Sequence, residues 1–193
     1  MPTVRDSQAT RTGLFLLVSA IPLALAGIYI TFSVNHAPTV GIIGLLVISL
    51  GAALTRSVGV AIVPETTRAW KFSNAAAAAA SIVVSGLAGA ALFFGPTLGT
   101  LTLLVATWAA VMAVCDILLS LNAGLAMVRR DFRVLALAGV ALALAEGVLP
   151  LTSVYAVGIV GAYGIVTSVY LGIAGMTLRF DSTTAPTEGN PTA

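Results

Sequence analysis

From residue 13 to residue 178 the chain is a succession of six apolar runs, and that pattern leaves few folds open. The runs cover 13–34, 39–63, 75–94, 98–128, 134–149 and 153–178. A helix rising about 1.5 Å per residue needs about 20 residues to cross roughly 30 Å of hydrocarbon. Five runs reach that length. The fifth is short, and the fourth is long enough to require tilt or protrusion. In lipid a backbone must satisfy its own hydrogen bonds, so such runs are helices rather than open strands. Composition closes the argument. Only 8% of the 193 residues are charged and 59% are apolar, against about 25% charged in a soluble domain. The expectation is an all-α integral membrane protein with six transmembrane helices.

The connections alternate in character. Those following the first, third and fifth runs are short and carry no Lys or Arg, whereas the second and fourth contain "RSVGVAIVPETTRAWK" and "RRDFR". All nine Lys and Arg residues then fall on one side, which the positive-inside rule places in the cytoplasm together with both termini. The expected location is a bacterial plasma membrane, entered many times. "RTGLFLLVSAIPLALAG" has the look of a signal peptide, but its apolar run continues through "IYITFSV", too long for a signal core. Residues 1–12 read as a cytoplasmic segment, 13–179 as the membrane domain, and 180–193, polar and rich in Pro and Thr, as a disordered cytoplasmic tail.

Three stretches share a layout: a helix, a short Pro-containing turn, and a second helix rich in Gly, Ala, Val and Leu. They predict three consecutive helical hairpin repeats, 13–63, 75–128 and 134–178, with Pro96 and Pro150 in equivalent turns and Pro38 slightly displaced. Proline ends a helix and reverses the chain within few residues. The third stretch, "VLALAGVALALAEGVLPLTSVYAVGIVGAYGIVTSVYLGIAGMTLR" at 134–179, resembles the HdeD family of bacterial membrane proteins. Residues 89–100, "GAALFFGPTLGT", match the middle repeat of that pattern more loosely, and 13–63 match in layout only. The resemblance implies a non-enzymatic role in acid or envelope stress resistance. Its motifs are packing motifs, and they name no substrate.

Small residues in lipid let helices approach closely. Gly158, Gly161, Gly164, Ser168 and Gly172 on the last helix, with Ser85 and Gly89 on the third, are the candidates for helix packing, within the chain or at a face between copies. Trp70, beside Lys71, suits an interfacial aromatic belt.

Charges inside apolar spans are costly and mark candidate functional positions. Arg56 lies 18 residues after Pro38, and Asp116 lies 18 residues after Leu98. Both therefore sit about 27 Å from the outer turns, at the cytoplasmic boundary, where an ion pair between them is geometrically open. Glu146 is only four residues before Pro150, about 6 Å beneath the outer turn, and no basic residue is expected on that face. It is a candidate to respond to external acid, with ordinary hydrogen bonding to Thr152 or Tyr155 as the alternative. His36, in the first outer turn, is a second pH-responsive candidate.

Other classes find no support. One cysteine, Cys115, excludes an intrachain disulfide, and one histidine beside it makes zinc or redox chemistry a poor fit. Enzyme signatures such as H-E-x-x-H, a P-loop or G-x-S-x-G are absent, so no catalytic residue, cofactor or metal is expected. There is no basic run interleaved with aromatics, and hence no nucleic-acid partner. The partners expected are the lipid bilayer and a second copy or another membrane protein. Two alternatives remain: a small proton- or cation-coupled transporter or channel, and an accessory subunit of a larger membrane complex.

Overall fold

The computed structural model describes residues 4–62 and 67–181, and it is helical throughout: α1 Val4–Phe32, α2 Pro38–Ile62, α3 Arg68–Phe94, α4 Leu98–Asn122, α5 Ala126–Val148 and α6 Ser153–Asp181. Among the described residues, five of the six are long and apolar enough to cross a membrane; the exception is α5. That helix carries Arg129, Arg130, Asp131 and Arg133 in its first turns and Glu146 near its end.

The break between the fourth and fifth runs is not where the charges are. α4 ends at Asn122, and "RRDFR" belongs to α5. The chain turns instead at Ala123–Leu125, where Gly124 and the extended backbones of Ala123 and Leu125 stop one helix and open the next. Charged side chains do not break helices, since Arg is a good helix former. Of the tail expected to be disordered at 180–193, Phe180 and Asp181 belong to α6 instead, and 182–193, like part of the second connection at 63–66, lie outside the described residues.

The turn between α3 and α4 is compact. Gly95 has φ 99°, a left-handed backbone that glycine adopts without penalty, and α4 restarts three residues later with Thr97 capping Thr100 N–H. Thr67 caps α3 in the same way, accepting from Trp70 N–H.

The six helices form a closed ring. Each packs on its sequence neighbours, and α1 packs on α6 more extensively than any other pair. The next closest pairs are α4 with α5 and α2 with α3; α5 and α6 touch lightly although a short turn joins them. The even helices also meet across the middle: a Cβ on Gly41 of α2 would come 2.6 Å from Leu101 of α4 and 3.0 Å from Val157 of α6. Among the described residues the backbones of the odd-numbered helices stay apart, and α1 reaches α3 through the Phe15 and Trp70 rings.

The surface is apolar all round. Leu25, Leu54, Leu87, Leu103, Leu137 and Ile173, one from each helix, are more than half exposed. Inside, Leu16, Ile42, Leu101, Phe132 and Val157 are sealed from solvent. An apolar exterior of this extent suits contact with lipid or protein rather than water.

Candidate functional site

Two even helices, α2 and α4, bring Arg56 and Asp116 together inside the bundle, each six residues before the end of its helix. Arg56 Nη2 donates to Asp116 Oδ1 at 2.5 Å, joining α2 to α4. Arg56 Nη1 donates to Asn74 Oδ1 of α3 at 3.3 Å, and Asn74 Nδ2 donates to the Trp70 carbonyl. The guanidinium carbon lies 5.6 Å from the centroid of the Phe132 ring on α5, a cation–π arrangement. Both members of the pair are buried, at 7% and 5% exposure. Helical side chains lean towards the N-terminus of their helix, and in α2 that direction leads away from the end next to the basic connection. Arg56 therefore points into the bundle instead of snorkelling to the basic end.

Beside the pair is a cavity of about 50 Å³. Ser19, Thr55, Arg56, Asp116, Tyr163 and Thr167 form its polar part. Its apolar walls reach Ile48 of α2 and Trp108 of α4, half-way along those helices. Tyr163 and Trp108 pack edge to face at 6.2 Å. Trp108 Nε1 donates to Ser81 Oγ at 3.2 Å, and Ser85 hydroxyl shares a 2.8 Å hydrogen bond with Ser49. A polar seam thus runs down α2, α3 and α4. We expect Trp108→Phe to release the Ser81 hydroxyl and cost about 1 kcal/mol, read as a lower unfolding midpoint in detergent; no change in midpoint would argue against the seam.

Glu146 is 3% exposed, and neither carboxyl oxygen has a hydrogen-bond partner. The expected alternative, bonding to Thr152 or Tyr155, is not made, and Tyr155 is 67% exposed. Asp131, which the sequence places in a charged connection, is buried at 1%. Its Oδ1 accepts from Tyr170 hydroxyl at 2.8 Å, and its Oδ2 has no partner. Among the described residues, every buried side-chain N or O atom without a partner lies on α5. His36 is half-buried in the turn between α1 and α2, far along the chain from these groups.

The small residues divide. A Cβ on Gly161 would press on Ile30, and one on Gly164 would meet the Leu23 carbonyl at 2.8 Å. Added carbons at Gly89, Gly158 and Gly172 would meet nothing within 4 Å, so those three do not hold helices together within one chain. The sequence reading also missed Gly13, Gly27 and Gly175, which bring α1 against α6. Trp70 is not in an interfacial belt; it is 4% exposed and packs on Phe15 with ring centroids 6.5 Å apart.

No group of three His, Cys, Asp or Glu residues suited to a metal occurs among the described residues. Compared with family models, curated proteins and solved structures, the chain matches none.

Proposed function

We propose that this chain is a non-enzymatic, multi-pass protein of a bacterial plasma membrane, built as three HdeD-like helical hairpins, and that it contributes to survival of acid or envelope stress. The observation that carries the reading is Glu146: a carboxyl group buried near the end of α5 without a hydrogen-bond partner. A charge there would be unpaired in a dry site, which is costly, so gain or loss of its proton changes how α5 packs. The outer part of α4, 98–114, offers it no ionisable side chain. On α6, Tyr155 is turned outwards and Tyr163 lies at the central cavity. Glu146→Gln keeps the shape and removes the titration. Cells carrying that variant are expected to lose the acid protection given by the wild-type chain; equal survival of the two sinks the proposal.

Orientation has its own test. With Cys115 replaced by Ala, a membrane-impermeant maleimide should label His36→Cys in intact cells. It should label Arg130→Cys, whose side chain is 73% exposed, only after permeabilisation. The reverse pattern would invert the proposed topology.

The central cavity favours a second reading, a small proton-coupled transporter. Ligand sites in helical bundles lie between facing helices, and this one holds charged groups in the interior of an apolar bundle. Proton-linked solute flux in reconstituted vesicles distinguishes it from the first reading.

A further inference from the structure

Folding alone gives a poor account of the centre of the bundle. A buried ion pair is a weak stabiliser, and apolar side chains of similar volume do as well or better. A void of about 50 Å³ beside it forfeits packing contacts as well. Arg56, moreover, is held by more than Asp116. Asn74 accepts from Nη1, and Phe132 lies against the guanidinium face, so the group stays in place when the carboxylate leaves it. Asp116 receives one hydrogen bond from it, on Oδ1, whereas guanidinium–carboxylate pairs are frequently bidentate.

We propose that the cavity binds a short-chain monocarboxylic acid of the size of acetate or propionate. The carboxylate takes the place of Asp116 on Arg56, and the alkyl group rests on Ile48, Ala52 and Leu171. The space of about 50 Å³ suits about three to five water-sized groups, at about 10–15 Å³ each; a six-carbon chain does not fit. Charge fixes the proton count. The resident pair is neutral, and a bare anion would leave a net charge of −1 in a site walled by apolar side chains, at high cost. The acid therefore brings its own proton, which passes to Asp116 as the carboxylate passes to Arg56. Only O–H bonds are exchanged, and the occupied site stays neutral. The ionisable groups facing it are Arg56 from α2, Asp116 from α4 and Tyr163 from α6; the linings from α1 and α5 contribute none, and α3 offers the amide of Asn74.

This inference supplies a substrate class for the transport reading and does not involve Glu146. It is tested with the full chain in lipid nanodiscs, by equilibrium dialysis against labelled acetate in weak buffer. Saturable binding of one acetate per chain is expected, with one proton taken up, displaced by propionate and not by hexanoate or chloride. Ala52→Leu, which narrows the cavity, is expected to weaken binding by at least about tenfold. Asp116→Asn is expected to retain acetate and lose the linked proton. Absence of saturable acetate binding to folded protein, or binding untouched by Ala52→Leu, overturns the proposal. Acetate bound without acetate flux in vesicles upholds the site and sinks the transport reading instead.

Discussion

Asp116→Ala is expected to destabilise the bundle by about 3–5 kcal/mol, because it strands the Arg56 guanidinium in the core without its counter-charge. In a chain of this length that corresponds to a fall in unfolding midpoint on the order of 10 °C. Arg56→Met should cost a similar amount, by stranding Asp116. The double replacement, Arg56→Met with Asp116→Leu, should return to within about 1–2 kcal/mol of the wild type, since an apolar pair of similar volume removes both desolvation penalties. The double-mutant cycle, followed by thermal unfolding in one detergent, measures the coupling. Additive single costs would mean that the two groups, 2.5 Å apart, do not depend on each other. Recovery in the double variant would mean that stability is not why the charges are there.

The second large effect belongs to the α1–α6 contact. At Gly164 an added Cβ would meet backbone, the Leu23 carbonyl at 2.8 Å and Gly27 Cα and N at 3.2 Å. Backbone cannot swing aside as a flexible side chain does. Gly164→Ala is therefore expected to cost about 1–3 kcal/mol by overpacking, and Gly164→Val more. Gly172→Ala, on the same helix, meets nothing within 4 Å. It should be neutral or stabilising by up to about 1 kcal/mol through helix propensity. The two alanines thus carry opposite signs. Equal midpoints for both variants would refute the close approach.

Depth was legible in the sequence, and rotation was not. Counting residues from two outer turns placed Arg56 and Asp116 at one level, and the structure places them together. No count could say that Asn74 and Phe132 would complete the group, because that depends on how α3 and α5 are turned about their axes. The same limit explains the glycines. Small residues advertise close approach, but the face that approaches is set by neighbours, so Gly161 and Gly164 are packed while Gly158 and Gly172 are open. Asp131 was hidden by its company. Three arginines within two residues of it made the segment read as a solvated connection, whereas helix α5 begins before them and turns the acid inwards towards Tyr170. The apolar runs were read as elements, so charged first turns such as Arg68–Lys71 of α3 were left off their helices.

Closure of the ring between α1 and α6 sets a timetable for synthesis. Gly27 and the Leu23 carbonyl pack against residues near Gly164, which leave the ribosome some 140 residues later. At about 5–20 residues per second that interval is roughly 7–30 s. Throughout it, the first helix waits with its glycine face uncovered, available to a chaperone or a neighbouring chain. The first helix made is thus among the last to find its partner, and a slow or truncated sixth helix would leave an open bundle rather than a smaller one.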